Sequence, residues 1–309
     1  MQPVSIALVT ARAARDQDED LSPLDAALRA CGAKVTIVDW DDTAVDWSAF
    51  DLALLRSPWD YSQRLPEFLA WAERTAAQSR LLNPLPVIRW NTDKHYLAEL
   101  ARAGVATVPS VFVEPGDDAD AALDRFFCDD ASLSRPAAML SHERTGEEFV
   151  VKPAVGAGSR DAQRYARADC ANALVHARRL LGAGRSVLLQ PYLDRVDAYG
   201  ETALIFFNGA FSHAIRKGPL LCRGEAPTRA LFAPEHILPR TPGADELLVA
   251  ERTLAAIPFA QPLLYARVDL IRDASGAPCV LELELTEPSL FFAHAPGSAE
   301  RFAKAILAR

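Results

Sequence analysis

Ala266-Arg-Val-Asp-Leu-Ile271 and Val280-Leu-Glu-Leu-Glu-Leu285 are two apolar-rich runs flanking a turn sequence at Asp273–Gly276. Together they read as a β-hairpin. Side chains alternate along a strand, so Glu282 and Glu284 leave one face while Leu281, Leu283 and Leu285 leave the other. With the turn placed there, Asp269 stands almost opposite Glu282, and three carboxylates converge above an apolar sheet. Unpaired, such a cluster is costly, because neighbouring like charges raise one another's pKa. A hard divalent cation resolves the conflict, and magnesium takes one or two carboxylates together with phosphate oxygens. Leu-Glu-Leu-Glu-Leu by itself equally describes an exposed strand face. What lies upstream decides for a metal site.

Upstream, Ala203–Ile215 forms a second hairpin around Asn208-Gly209, a strong short hairpin signal between apolar runs. Glu148-Phe-Val-Val-Lys152-Pro153 reads as a strand ending in a lysine, followed by Ala154-Val-Gly156-Ala-Gly158-Ser159-Arg160. Small residues let backbone N–H groups approach phosphate oxygens closely. The lysine precedes the glycines, so this is not a P-loop, and G-x-G-x-x-G is absent as well. Lys94, in Asn91-Thr-Asp-Lys94, is expected at the first turn of a helix over 92–103, where the helix N-terminus favours anions. Gln190-Pro-Tyr192-Leu193 follows an apolar strand, as a crossing between two lobes whose backbone could bind an adenine edge.

The N-terminal segment alternates strands (Ile6–Thr10, Val35–Val38, Leu52–Leu55) with helices (Leu21–Cys31, Leu65–Thr75), the pattern of a parallel sheet. Functional residues in such a sheet lie past the strand carboxyl ends. Those ends carry Thr10–Arg15 and Arg56-Ser-Pro-Trp59-Asp-Tyr61. Asn83-Pro-Leu-Pro86 breaks the alternation and marks a boundary. Three units follow: 1–85, a parallel-sheet α/β domain; 86–190, a small central lobe; and 191–309, an antiparallel-sheet lobe. Lys217–Gly243 reads as a substrate-facing lid or, equally, as an inert loop.

With 309 residues, half of them apolar, the chain can build a sizeable core. A net charge of -8 argues against nucleic-acid binding. No run reaches the ~18–20 apolar residues that a membrane span needs, and the N-terminus lacks a basic, signal-like region. Five scattered cysteines without a C-x-x-C fit a reducing compartment, so a cytoplasmic protein without membrane contact is expected. The six histidines show no ligand spacing, and neither H-E-x-x-H nor G-x-S-x-G occurs. His213 reads as structural.

Asn91-x-x-Lys94, Lys152-Pro-x-x-Gly156-x-Gly158, Gln190-Pro-Tyr-Leu193, Arg216, Asp269 and Glu282-Leu-Glu284 occur in the order used by the ATP-grasp superfamily. The match is best to its bacterial glutathione synthetase branch. The resemblance covers nearly the whole chain and implies a mixed α/β ATP-grasp fold binding ATP. Lys94 and Lys152 would contact the phosphates, and Gly156, Gly158 and Ser159 would form the loop covering them. Gln190, Tyr192 and Leu193 would flank the adenine, and Glu201 would hold the ribose. Arg216 would neutralise the γ-phosphate or an acyl phosphate, and Arg56 would face the substrate. Asp269, Glu282 and Glu284 would bind two Mg2+ ions, with Mn2+ as an alternative.

That branch carries Glu-x-Asn where this chain has Glu282-Leu-Glu284, and a basic residue where Ala203 stands. The first change still suits magnesium; the second points away from glutathione-type substrates. The tryptophan-rich stretches Val38-Asp-Trp40, Val45-Asp-Trp47 and Leu54-Leu-Arg56-Ser-x-Trp59-Asp-Tyr61, with Glu287-Pro-Ser289, resemble enzymes related to the cycloserine-forming ligase. The implied activity is an ATP-dependent ligase that activates a carboxylate as an acyl phosphate for attack by an amine. Its implied substrate is small and amino-acid-like, down to ring closure of O-ureido-D-serine. An intermolecular amino-acid or peptide ligase and a non-catalytic nucleotide-binding protein are the alternatives, and a homo-oligomer is left open.

Overall fold

Ile6–Thr10 is buried at every position, as a strand covered on both faces must be. In a computed structural model that describes residues 2–128, 147–221, 224, 236–260 and 262–309, it belongs to β1 (Ser5–Thr10). β1 pairs in parallel with β2 (Lys34–Asp39) and β3 (Leu52–Ser57), and β3 with β4 (Arg80–Leu82), in the order β2-β1-β3-β4. α1 (Leu21–Ala30) and α2 (Leu65–Ala76) are the crossover helices, each burying its leucine or aromatic stripe.

Two antiparallel sheets follow. The central one has the order β5-β8-β6-β7, from Val111–Val113, Glu148–Pro153 (β6), Gln163–Ala166 (β7) and Val187–Pro191 (β8). α5 (Ala119–Cys128) and α6 (Cys170–Gly182) back it, and Ala122, Phe126, Phe149, Ala177 and Leu189 fill the space between. The C-terminal sheet has the order β11-β10-β9-β12-β13. Its strands are Glu201–Phe207 (β9), Ala210–Lys217 (β10), Ile237–Arg240 (β11), Tyr265–Arg272 (β12) and Pro278–Glu284 (β13). The fold is therefore the expected mixed α/β architecture. The two hairpins form as read: Asn208 and Gly209 both have positive φ (49° and 77°), as a two-residue type I′ turn requires. Asp269 lies directly opposite Glu282.

Between the first and second sheets the structure departs from the sequence expectation. Asn83-Pro-Leu-Pro86 is not a loose connection. Asn83 is fully buried, donating from Nδ2 to Tyr265 O (2.9 Å) and Leu285 O (2.8 Å) and accepting from Leu264 N (3.0 Å). Leu85–Asn91 forms α3, with Pro86 in its first turn, and Tyr96–Arg102 forms α4. Lys94 thus occupies the turn between two helices rather than the first turn of one, because the single helix expected over 92–103 begins four residues later.

One core joins the N-terminal domain to the C-terminal sheet. Ile6, Leu8 and Leu24 pack with Ile205, Phe207 and Phe302, the last from α9 (Ser298–Leu307). Asp20 seals the joint: its carboxylate accepts from Leu290 N (2.5 Å), Phe291 N (3.0 Å) and Phe292 N (2.8 Å). Residues 129–146, 222–223 and 225–235 lie outside the described residues, and with them about half of the segment read as a lid.

Replacing Asp20 with alanine leaves those three N–H groups without their acceptor, at about 1–3 kcal/mol for each that stays dry. Urea unfolding of Asp20→Ala is expected to show a loss of at least ~2 kcal/mol with an unchanged m-value, whereas Glu19→Ala, an exposed neighbour, is expected to match wild type.

Candidate active site

The C-terminal sheet presents a row of charges along one face. In β12 and β13, alternation places Arg267 and Asp269 beside Glu284 and Glu282, their register partners. In β9 and β10, Glu201 and Lys217 are likewise partners. The row is ion-paired from end to end. Lys217 Nζ bonds Glu201 and, at 2.8 Å, Asp269 Oδ2. Arg267 donates from Nε to Asp269 Oδ1 (2.8 Å) and from Nη2 to Oδ2 (2.8 Å), and also bonds Glu284. Lys94 Nζ bonds Glu282 Oε1 at 2.8 Å and donates to Gly156 O at 2.9 Å.

The electrostatics follow from burial and these partners. Burial pushes Asp269 and Glu282 up, but Arg267 and Lys217 for the first, and Lys94 and Lys152 for the second, outweigh it and hold both carboxyls below their usual range. For Glu201 and Glu284 burial wins, and both are raised. Burial also lowers Lys152 from 10.5 to about 8, with Lys94 adding to it. The acids that the sequence brought together are thus already matched by cations. Lys217 and Arg267 were missed, although Arg267 stands two residues before Asp269 on a strand and so had to share its face.

Apart from Asp269, which is buried behind Lys217 and Arg267, these residues form one wall of a cavity of about 730 Å³ between the two antiparallel sheets. Lys94, Lys152, Gly156, Gly158, Ser159, Gln190, Tyr192, Leu193, Glu201, Glu282 and Glu284 all line it. The glycine loop is fixed at its stem: Arg185 donates to Val155 O at 3.1 Å and bonds Asp161 at 2.8 Å. Its tip takes positive φ at Gly158 (60°) and Ser159 (58°). Across the cavity, Val150, Ile271 and Leu281 form an apolar slot beside Gln190, whose Nε2 donates to Ser110 Oγ at 2.9 Å. Tyr192 is held under the Arg164 guanidinium, 3.5 Å above the ring centre.

Two residues fall elsewhere. Arg216 is not part of the wall. Strand alternation turns it to the opposite face from Lys217, where it donates to Tyr199 O (2.6 Å) and Ala198 O (3.0 Å) at the end of α7 (Arg195–Tyr199). Gly200 permits that contact: its φ is +72°, and a Cβ there would sit 2.8 Å from Arg216 Nε and 2.4 Å from Lys217 O. Arg56 is 0% exposed and lies behind the wall, donating from Nη2 to Pro288 O at 2.8 Å. His213 is structural, as expected, bonding Leu290 O at 2.7 Å, with burial bringing its pKa down to about 4.

Among the described residues, no three acidic, histidine or cysteine side chains converge as a ready metal cage. Glu282 and Glu284 nevertheless share one cavity face beside the lysines. Two carboxylates with phosphate oxygens completing the shell is the donor set magnesium prefers, so the residues fit that ion. Asp269 fits only by exchanging contacts with Arg267 and Lys217.

Two antiparallel lobes enclosing a lysine-lined, carboxylate-edged cavity under a glycine loop define an ATP-grasp enzyme. Residues 6–83 match the family model for the N-terminal domain of D-cycloserine synthetase DcsG. The chain is 43% identical over 310 residues to the cycloserine biosynthesis protein DcsG of Streptomyces lavendulae, covering 98% of each. It superposes on a crystal structure of D-cycloserine synthetase DcsG with a TM-score of 0.87 at 42% identity, covering 99% of both chains. D-alanine–D-alanine ligase from Bacillus anthracis complexed with ATP shares the fold, with a TM-score of 0.62 at 14% identity over 99% of this chain and 96% of that one. The chain belongs to the D-cycloserine synthetase DcsG family. It is an ATP-grasp ligase that forms a C–N bond, and ATP and Mg2+ come with that fold class. No helix among the described residues is long and apolar enough to cross a membrane.

Lys152 yields a pH-resolved prediction. Its folded pKa lies below its unfolded one, so the cost of its charge is fully present below about pH 8 and fades as pH rises towards 10.5. Lys152→Met is therefore expected to melt at a higher temperature than wild type at pH 7 without nucleotide, with the gap closing above pH 8. The same variant should lose ATP-induced stabilisation. Scanning calorimetry at several pH values reads both.

Proposed function

We propose that this chain closes O-ureido-D-serine into the D-cycloserine ring at the expense of ATP. One observation carries the reading: the cavity that holds the phosphate-side residues is also lined by Gln17, Asp18, Trp59 and Tyr61 of the N-terminal domain. Nucleotide and amino-acid sites are thus one enclosure. The near full-length identity to DcsG supplies the substrate class. The domain limits 1–85, 86–190 and 191–309 are proposed as the working division, the boundary at 190 falling one residue before the end of β8.

Lys94 and Lys152 bind the ATP phosphates under the Gly156–Ser159 loop. Gln190, Tyr192 and Leu193 frame the adenine, and Glu201 is placed for the ribose. Asp269, Glu282 and Glu284 would hold two Mg2+ ions, or Mn2+, which when bound draw charge from the β- and γ-phosphate oxygens. The substrate carboxylate oxygen attacks the γ-phosphorus, the bond to the bridging oxygen breaks, and ADP leaves. Charge spreads over the equatorial oxygens in such a transfer, so preorganised cations dominate catalysis. Arg267 and Lys217 take the role expected of Arg216, because they are the cations on the cavity face. The substrate's oxygen-bound nitrogen then attacks the acyl carbon, loses its proton and expels phosphate, forming the ring; water hydrolyses the carbamoyl group from that nitrogen, releasing it as CO2 and ammonia and leaving D-cycloserine. Both partners belong to one molecule, so closure benefits from a high effective molarity. Arg160, on the loop and facing Gln63 of the N-terminal domain, helps keep water from the acyl phosphate.

Purified protein with ATP, Mg2+ and O-ureido-D-serine is expected to release one ADP per cycloserine, identified by mass spectrometry. ADP release only in the presence of a second amine, with a linear product, would instead establish the intermolecular ligase. Glu282→Gln should abolish ADP formation while leaving the unfolding transition in place; normal turnover would remove the metal assignment. Lys217→Met should lower kcat by roughly 100-fold or more, as loss of a cation on transferring charge does. Arg216→Met should stay near wild type, and the reverse order would restore Arg216 to the site.

A further inference from the structure

Apart from the solvent-exposed Glu19, the carboxylates lining the cavity divide by what neutralises them. Glu201 has Lys217, Glu282 has Lys94, and Glu284 has Arg267. Asp20 is consumed by three backbone N–H groups, and Asp18 lies within the field of Arg56. Glu287 differs. It is 8% exposed, it lines the cavity, and among the described residues no lysine or arginine pairs with it. Its carboxyl is hydrogen-bonded to the Tyr61 hydroxyl, which burial keeps protonated and so a donor.

The backbone around it is held from below: Trp59 Nε1 donates to Glu287 O at 3.0 Å and Arg56 Nη2 to Pro288 O at 2.8 Å. The side chain is thereby fixed in place rather than left to swing on a loop. A buried carboxylate without a cation is costly, and burial raises this one to about 7. Lys94 and Arg267 act on it from a distance without outweighing burial, so the place beside the carboxylate suits a positive charge in direct contact. Trp59 and Tyr61 line the same region of the cavity, and aromatic faces suit an ammonium group.

We propose that Glu287, oriented by Tyr61, binds the free ammonium group of the substrate and makes the enzyme select α-amino acids over their des-amino counterparts. The inference rests on the ligase reading above and adds the group that defines its substrate class. It also gives Arg56 a place, holding the Glu287–Pro288 backbone from behind the wall.

The test is a four-way comparison of wild type and Glu287→Gln, each assayed by ADP release with O-ureido-D-serine and with the same acid lacking its amino group. In wild type, losing the amino group should raise KM about 30- to 100-fold, the usual cost of leaving a buried charge unpaired. In Glu287→Gln the amino acid's KM should rise by a similar factor, the KM for ATP should not move, and the difference between the two acids should largely vanish. Tyr61→Phe should shift the amino acid's KM in the same direction by less. Should Glu287→Gln turn over too slowly, equilibrium binding of both acids to the ADP-loaded protein gives the same comparison. Undiminished discrimination by Glu287→Gln, or a wild type indifferent to the amino group, overturns the proposal. If O-ureido-D-serine fails in wild type while another amino acid releases ADP, the ring-closure reading falls, and the comparison is run on that acid and its des-amino form.

Discussion

β13 is the last strand of its sheet, and the catalytic arrangement depends on how its outer edge is covered. An edge strand leaves alternate N–H and C=O groups unpaired, which in a buried position costs as much as lost hydrogen bonds. Here those groups take partners from outside the sheet. Val280 exchanges bonds with Ala106 O (2.8 Å) and Val108 N (2.9 Å). Leu283 N donates to Tyr96 Oη and Leu283 O accepts from Asn91; Leu285 N donates to Asn91 and Leu285 O accepts from Asn83. Residues 83–108 thus act as a substitute strand made largely of side chains. Because Asn91 and Tyr96 bracket Lys94, the groups that close the edge also deliver a lysine to Glu282.

The charge row is the second constraint. Four carboxylates (Asp269, Glu201, Glu282, Glu284) face four cations (Lys94, Lys152, Lys217, Arg267) in and around the cavity. Buried ion pairs seldom stabilise a fold relative to apolar residues of the same size, since desolvation consumes the Coulombic gain. On the proposed nucleotide site their value is preorganisation: the cations would be in place before nucleotide arrives, and no dipoles would need to turn as charge moves to the γ-phosphate. Removing an ion-paired member, such as Lys94 or Arg267, leaves its partner buried and unpaired, so stability and nucleotide binding draw on the same residues.

How much of this was legible depends on range. The hairpin of Asp269 and Glu282 was readable because alternation and a turn are local, and a single register brings the two acids together. Lys94 and Lys152 were singled out by an expected helix start, a glycine loop and the family resemblance, yet the helix expected around Lys94 was not there, because the stretch instead bends to meet the edge of β13. Asn83 looked like a linker residue, since its partners lie some 180 positions away in sequence. Arg216 was named where its neighbour Lys217 is the residue that faces the cavity, since in a strand a shift of one residue reverses the face. Arg267 carried a usable signal in Arg267-x-Asp269, but a resemblance that supplied an arginine elsewhere obscured it.

The same geometry explains why the two halves of the reaction need one enclosure. An acyl phosphate is hydrolysed wherever water reaches it, so the nitrogen that traps it must be positioned before it forms. The N-terminal sheet is bound to the C-terminal lobe through a continuous core and through the Asp20 strap on residues 290–292. Its loops therefore cannot drift from the phosphate wall without breaking buried contacts. Trp59 and Arg56 tie the Glu287–Pro288 backbone, three residues past Glu284, to the end of β3. A substrate held there lies within a few residues of the groups that manage the γ-phosphate. On the proposed ring-closing reaction, rigidity of that joint, rather than an additional acid or base, would let the substrate's nitrogen outcompete water.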